Sequence, residues 1–223
     1  MNKKGRGDSL KIVNPTEDTI KEAASIIKRG GLVAFPTETV YGLGADGLNS
    51  DAVKRVFLAK KRPLSNPLPL HIADRSWLTE LVHLNNKAEA LMDGFWPGAL
   101  TIILLKKDVV PDIVTAGFPK VGLRMPDNPI ALELIRAVGR PIIGTSANIT
   151  GFPSPTKASD VEKYLKDTVE LILDGGVCQI GLESTILDLT EDIPKLLRRG
   201  GLAIEKIESL IVEVVTVCNT LLI

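Results

Sequence analysis

The sequence predicts an α/β domain built on a mixed β-sheet. Short apolar runs of strand length, such as 32–35 and 100–105, alternate with segments such as 16–29, in which apolar residues recur at helical spacing. Strands that alternate with helices indicate parallel pairing, but the alternation is irregular here, so antiparallel pairs are expected in the same sheet. We find no repeat, low-complexity linker or break in composition, and we therefore expect a single domain.

The expected domain covers residues 12–211 of the 223 residues in the chain. Residues 1–11 are polar and predict a flexible N-terminal segment without the apolar core of a secretory signal. Residues 212–223 form a C-terminal tail that is apolar enough to dock on the domain. Because no apolar run reaches membrane-spanning length, we expect no association with a membrane.

Charge and cysteine content exclude several classes of protein. Lys and Arg number 27 and Asp and Glu also number 27, so the formal net charge is zero and no global field attracts nucleic acid. The two cysteines, Cys178 and Cys218, lie far apart with no CxxC or Cys/His pattern. This argues against a zinc site and a disulfide scaffold, and it indicates a reducing, cytoplasmic location.

The first half of the chain predicts helices and short strands in alternation. Thr16 is a good helix cap and Gly30-Gly31 a good helix stop, with apolar residues at i, i+3, i+4 and i+7 between them. A second helix places Lys60 and Arg62 at its C-terminal end, where the helix dipole favours cations. The other expected elements are strands over 32–35 and 68–73, a polar loop over 36–44, and helices starting at Ser50 or Asp51, and over 77–82 and 87–95.

The second half predicts a comparable set of elements. Asn128-Pro129 is a cap followed by proline at the first helical turn, and Gly139 is the matching stop. A buried strand over 141–144 leads directly into Thr145-Ser146-Ala147-Asn148. The other expected elements are strands over 100–105, 121–125, 169–173, 184–189 and 195–198, a helix capped near Ser159, and a closing helix over 203–211.

Residues 59–71 combine three consecutive cations with a stiff backbone. Lys60, Lys61 and Arg62 precede three prolines, each of which fixes φ and removes a hydrogen-bond donor. Clustered charge on a stiff segment favours an anionic ligand. The alternative is an ordinary surface loop with solvated lysines, and this stretch alone does not decide between the two.

Two apparent motifs point to functions that the chain does not support. Gly42-Leu43-Gly44-Ala45-Asp46-Gly47 matches the dinucleotide fingerprint, but Gly42 lies too far from the preceding strand and no acidic residue follows at the required offset. These glycines are better suited to a tight turn or a close approach to a ligand. Residues 144–148 resemble a nucleophile elbow, but Asn148 stands where glycine is needed and His71 and His83 are the only candidate bases.

A Walker A sequence is absent, so ATP would need another set of contacts. Lys60, Arg62, Arg124 and Arg198 each lie at the end of an expected strand or helix, and guanidinium groups bind phosphates and carboxylates well. The alternative is that arginines at element ends are ordinary surface residues. His71 would by default be a core histidine, and Ser184-Thr185 could reflect β propensity alone.

Taken together, six stretches resemble the YrdC/Sua5 family, and their order matches from about Ile20 to Ile211. The resemblance implies a YrdC-like open twisted mixed sheet with flanking helices and a basic concave cavity. The chain ends before the further C-terminal domain of longer members, so we expect a short form. The stretches are 36–44, Lys60-x-Arg62-Pro63 with Asn66-Pro67 and His71, 124–126, 145–148, 181–185 and Arg198-x-Gly200.

The resemblance also implies an activity and a set of contacts. The implied reaction condenses L-threonine, bicarbonate or CO2, and ATP into L-threonylcarbamoyladenylate and pyrophosphate, for transfer by a separate complex to tRNA. Magnesium would accompany ATP on its phosphate oxygens, with no protein metal site. Lys60 and Arg62 would be catalytic. Threonine contacts would be Thr39, His71, Arg124, Thr145 and Ser184; ATP contacts would be Arg62, Asn66, Ser146, Asn148, Ser154 and Arg198.

Two other functions stay open at the level of sequence. One is a double-stranded RNA-binding module without turnover, which the zero net charge disfavours and the cations of residues 60–62 favour. Weak RNA binding by an enzyme is a milder form of the same alternative. The other is a carbamoyl-transfer domain of the kind found in hydrogenase-maturation proteins, but nothing here resembles the other segments of those much longer chains.

Overall fold

The computed structural model describes residues 10–211 and 214–216. The strands are β1 Lys11–Val13, β2 Val33–Phe35, β3 Gly42–Gly44, β4 Leu70–His71, β5 Leu100–Leu105, β6 Lys120–Arg124, β7 Ile142–Ile143, β8 Thr145–Ser146, β9 Leu171–Leu173, β10 Thr185–Asp188, β11 Lys195–Arg198 and β12 Val215–Thr216. The helices are α1 Glu17–Lys28, α2 Ser50–Lys60, α3 Leu78–Leu81, α4 Asn86–Phe95, α5 Asp112–Thr115, α6 Pro129–Val138, α7 Ala158–Leu165 and α8 Ile204–Glu208, with a 3-10 turn at Arg75–Trp77.

The strands form two mixed sheets, whereas the sequence predicts one. A five-stranded sheet has the order β1-β9-β2-β3-β8, and a seven-stranded sheet has the order β12-β11-β10-β5-β6-β4-β7. Each sheet contains parallel and antiparallel pairs, for example β2 with β9 and β3, and β5 with β10 and β6. The chain passes from one sheet to the other at Gly144, between β7 and β8.

Helices cover the sheets through their apolar faces. On one side α1 packs against α6, and together they enclose Phe35 of β2 and Leu171 of β9. The larger apolar cluster contains the inward face of α2, with Val53 and Val56, and the buried side chains of β5. Burial of this apolar surface is the main favourable contribution to folding.

Local capping signals predict several helix ends correctly. Thr16 forms a capping box with Thr19 at the start of α1, as expected from its hydroxyl. Asn128 accepts from two backbone N–H groups at the start of α6, and Gly139 ends that helix with a positive φ of 77°. The predicted cap near Ser159 is wrong, since α7 begins at Ala158.

Glycines in the residue 42–47 stretch serve packing. A β carbon at Gly42 or Gly44 would lie 2.9 Å from the Phe35 ring, so only glycine lets β3 lie directly on that ring. The predicted polar loop over 36–44 is therefore wrong at its end, where Gly42–Gly44 forms β3 between β2 and β8. The close approach is to the Phe35 ring, and the expected close approach to a ligand stays a prediction.

The ends of the described residues add two short strands. Lys11, placed by the sequence in the flexible segment, begins β1, which pairs with β9. Val215–Thr216 of the predicted tail forms β12, which pairs with β11. Residues 1–9, 212–213 and 217–223 lie outside the described residues, so the expected flexibility of the N-terminal segment stays a prediction. Within the described part, none of the helices is long and apolar enough to cross a membrane.

Candidate active site

A polar cavity of about 180 Å³ lies where the two sheets meet. The five-stranded sheet contributes residues of β3 and β8, and the seven-stranded sheet contributes the ends of β4, β6 and β11. Most of the predicted contact residues therefore converge, although they come from widely separated parts of the sequence. The predicted residues that line the cavity are Thr39, Lys60, Arg62, His71, Arg124, Thr145, Ser146, Asn148, Ser184 and Arg198.

Two predicted ATP contacts do not line this cavity. The backbone carbonyl of Asn66 accepts from Arg62 Nε at 3.1 Å, so Asn66 helps to hold the Arg62 guanidinium in place. The Ser154 hydroxyl donates to Glu183 Oε1 at 2.6 Å and lines a neighbouring pocket. Glu183 belongs to both pockets and separates them.

Lys60 is the last residue of α2 and is only 2% exposed. Its Nζ donates to the backbone carbonyl of Ser146, to the backbone carbonyl of Asn148 at 2.8 Å and to Asn148 Oδ1 at 3.3 Å. An ammonium group has three N–H donors, and these acceptors engage all three. Lys60 thus ties the end of α2 to the last residue of β8 and to the loop that follows it.

The environment of Lys60 disfavours its charge. Burial, reinforced by the nearby Arg62 guanidinium and opposed by Glu183, lowers the pKa of Lys60 from 10.5 to about 7. The unfolded chain therefore binds a proton at this residue between about pH 7 and pH 10.5, where the folded chain does not. The contribution of Lys60 to stability is present above pH 10.5 and is lost as the pH falls through 7.

We expect the unfolding free energy of the wild type to rise from pH 7 to pH 10 relative to that of Lys60→Met. Methionine keeps the length of the side chain but has no proton to exchange. Urea unfolding of both proteins at several pH values measures the difference, in which the titration of all other groups cancels. Parallel pH profiles for the two proteins would contradict the lowered pKa.

Arg124, at the end of β6, forms a buried ion pair with Glu38. Its Nη2 donates to Glu38 Oε1 at 2.7 Å and to Thr39 Oγ1 at 2.9 Å, and its Nε donates to the Gly98 carbonyl at 3.0 Å. The two charged side chains are 5% and 7% exposed. The described residues supply no acceptor for Nη1, so this nitrogen is the one available to a ligand in the cavity.

His71, in β4, presents a neutral imidazole. Burial and the nearby Arg124 charge hold the pKa of His71 well below its usual value. The ring packs edge-on to Phe35 and directly against Gly144, where a β carbon would lie 2.2–2.3 Å from ring atoms. Its Nδ1 is buried and has no hydrogen-bond partner among the described residues. Such an atom requires a partner, and a polar ligand in the cavity would supply one.

Arg198, at the end of β11, forms a second ion pair at the site, separate from the pair of Arg124 and Glu38. Its Nη1 donates to Glu183 Oε2 at 2.6 Å, and its Nε and Nη2 donate to the backbone and the hydroxyl of Ser184. Ser184 Oγ also lies 2.7 Å from Thr101 Oγ1. The side chains of Arg198 and Glu183 are 27% and 36% exposed, so this pair is more accessible than the pair formed by Arg124 and Glu38.

Sequence reasoning missed both glutamates and two threonines of the site. Glu38 and Glu183 lie inside stretches that carry the family resemblance, yet their pairing with arginines far away in sequence becomes visible only in the fold. Thr37 and Thr101 also line the cavity. The sequence signal that could have revealed the two glutamates is a carboxylate next to hydroxyl side chains, as in Thr37-Glu38-Thr39 and Glu183-Ser184-Thr185.

The arrangement does not support hydrolysis by a serine. Ser146 and His71 both line the cavity, but among the described residues no hydrogen bond joins their side chains. A nucleophilic serine needs a base within hydrogen-bond reach. The predicted exclusion of a catalytic triad is therefore consistent with the geometry.

Comparison with known proteins identifies similar chains. The Sua5/YciO/YrdC family model, described as "Telomere recombination", matches residues 25–200. Threonylcarbamoyl-AMP synthase of Pyrococcus abyssi is 52% identical over 196 residues, which are 87% of this chain and 58% of that protein. Threonylcarbamoyl-AMP synthase of Bacillus subtilis is 51% identical over 201 residues, 89% of this chain and 58% of that protein.

A solved structure also resembles the chain. Sua5 of P. abyssi complexed with L-threonine superposes with a TM-score of 0.90 at 49% identity, over 94% of this chain and 62% of that one. The chain therefore spans about three-fifths of the length of these relatives.

Proposed function

The chain belongs to the Sua5/YciO/YrdC family, and from this premise we propose that it is a threonylcarbamoyl-AMP synthase. It condenses L-threonine, CO2 or bicarbonate, and ATP into L-threonylcarbamoyladenylate and pyrophosphate. A separate threonylcarbamoyl transferase complex then uses the adenylate to modify tRNA in the cytoplasm. The names of the Pyrococcus and Bacillus relatives and the threonine-bound Sua5 structure support this proposal.

One observation carries the proposal: two arginines with separate carboxylate partners line the same small cavity. Arg124 keeps Nη1 available, and Thr39 and the unpartnered Nδ1 of His71 line the same cavity, which suits an amino-acid carboxylate with a hydroxyl nearby. Arg62 and Arg198 also line this cavity, and their guanidinium groups suit phosphate. A reaction that joins an amino acid to a nucleotide needs two such anion sites side by side.

The chemistry matches these residues. The deprotonated amine of threonine attacks carbon dioxide and forms an N–C bond, and a proton leaves the nitrogen to give the carbamate. A carbamate oxygen then attacks the α-phosphorus of ATP, the bond to the β-phosphate oxygen breaks, and pyrophosphate leaves. Neither step uses a protein nucleophile. Both need anions held together while charge develops on phosphate, which cationic side chains stabilise.

The roles of the side chains follow from their contacts. We assign Arg62 to the phosphates, because its Nε and Nη2 are fixed on the backbone carbonyls of Asn66 and Pro67. Lys60 fixes the backbone of Ser146 and Asn148, and its protonated form adds to the positive potential at the phosphates. Magnesium enters with ATP as part of the substrate, on the phosphate oxygens.

An RNA-binding module is not favoured by the same geometry. Lys60 and Arg124 are almost fully buried, so these cations face a small cavity and not an exposed surface that could follow a nucleic-acid backbone. Formal net charge is zero. The direct test incubates the pure chain with Mg·ATP, L-threonine and bicarbonate, and measures pyrophosphate and the labile adenylate.

Pyrophosphate release that depends on both L-threonine and bicarbonate is the expected result. D-threonine serves as the matched control, because it has the same charges and groups in the opposite configuration. Pyrophosphate release without threonine, or salt-sensitive RNA binding with no release at all, would contradict the proposed function.

A further inference from the structure

The carboxylate of Glu183 occupies two hydrogen-bond donors, Arg198, which lines the cavity, and Ser154, which lines the neighbouring pocket. Glu183 Oε1 accepts from Ser154 Oγ at 2.6 Å, and Oε2 accepts from Arg198 Nη1 at 2.6 Å. A hydroxyl and a guanidinium directed at one anion form a subsite that fits a phosphate group as well as a carboxylate. In this structure the carboxylate of Glu183 fills the subsite.

Glu183 is the single carboxylate among the described residues that line the cavity, where four cations also lie: Lys60, Arg62, Arg124 and Arg198. Its position contrasts with that of Glu38, which is buried behind Arg124. Glu183 is 36% exposed, and its carboxylate makes hydrogen bonds only to Ser154 and Arg198 among the described residues. Of the two carboxylates at the site, Glu183 alone can leave its arginine without passing through the core.

The backbone of Glu183 is held independently of its side chain. Its carbonyl accepts from Gly201 N at 2.7 Å, and Gly200 packs so closely that a β carbon there would lie 2.3 Å from the same oxygen. Neither of these backbone contacts involves the carboxylate, so rotation about the Glu183 side-chain bonds alone would vacate the subsite.

We propose that Glu183 is an internal anion that fills the subsite of Ser154 and Arg198, and that a polyphosphate binds by displacing it. The inference rests on the proposed function for the identity of the ligand. A polyphosphate carries several charges and engages Arg62 and Arg198 together, so it outcompetes one carboxylate. A threonine carboxylate carries a single charge and competes with an intramolecular group of equal charge at high effective concentration. Glu183 thereby reserves the subsite for phosphate and directs threonine to Arg124.

The test uses inorganic pyrophosphate in EDTA, so that no metal takes part. Isothermal titration calorimetry should give a dissociation constant roughly 3- to 10-fold lower for Glu183→Gln than for the wild type, because the amide keeps the size of the side chain without the competing charge. Glu183→Ala should change the constant in the same direction. Thermal unfolding of both variants checks that the fold is kept.

Glu191→Gln is the matched control. It makes the same change in net charge and removes an ion pair, with Lys195, that is likewise partly exposed, but Glu191 does not line the cavity. Its affinity for pyrophosphate should stay within about 2-fold of the wild type. Unchanged or weaker binding by both Glu183 variants, or equal strengthening in Glu191→Gln, would overturn the inference while leaving the proposed function intact. Failure of every protein to bind pyrophosphate and ATP would overturn the proposed function and this inference with it.

Discussion

Valine should replace threonine in the assay with a kcat/KM that is lower by roughly 10⁴-fold. Valine has nearly the shape of threonine but no hydroxyl. The proposed threonine pocket presents the hydroxyls of Thr39 and Thr145 and the unpartnered Nδ1 of His71. Binding valine would leave the buried Nδ1 of His71 without the partner that threonine supplies, and an unpaired group of this kind costs much more than a missing methyl contact. Initial-rate measurements with both amino acids test the expectation.

Serine is the matched comparison for this prediction. It keeps the hydroxyl and lacks one methyl group, so its kcat/KM should fall by only about 10- to 200-fold. An order of preference in which valine equals or exceeds serine would show that the pocket recognises shape and not the hydroxyl.

Arg124→Met should lower kcat/KM for threonine by roughly 10³-fold and destabilise the fold by about 3–5 kcal/mol. The loss of activity follows from removal of Nη1, the group available to the substrate carboxylate. The loss of stability has a different cause, because the Glu38 carboxyl group would stay buried without its ion-pair partner. Steady-state kinetics and urea unfolding measure the two effects separately.

The double variant Arg124→Met, Glu38→Gln distinguishes these causes. Glutamine removes the uncompensated charge, so most of the lost stability should return while activity stays as low as in the single variant. Recovery of activity together with stability would mean that Arg124 acts only by supporting the fold.

Elements governed by local chemistry could be predicted from the sequence. Asn128, Pro129 and Gly139 define α6 because a cap, a first-turn proline and a positive-φ stop act within one segment. Two short strands could not be predicted in the same way. The sequence placed β3 and β8 in loops, and these strands exist because they pair with each other, and β3 also with β2. For the same reason the sequence did not reveal that the strands divide into two sheets.

The site residues likewise divide into those that local sequence reveals and those that only the fold reveals. Lys60 and Arg62 are identified by their place at the end of a helix, but the sequence suggests that Lys60 faces the substrates, and the structure shows that its donors hold the backbone after β8. Glu38 was missed because its partner, Arg124, is 86 residues away. Charge pairs of this kind depend on tertiary structure, and a single sequence does not display them.

Gly144 joins the two sheets and at the same time forms part of the cavity wall. It is the one residue between β7 and β8, and the His71 imidazole lies where its side chain would be. Any residue with a β carbon at this crossing would displace the ring, so the covalent joint and the shape of the proposed threonine pocket cannot vary independently.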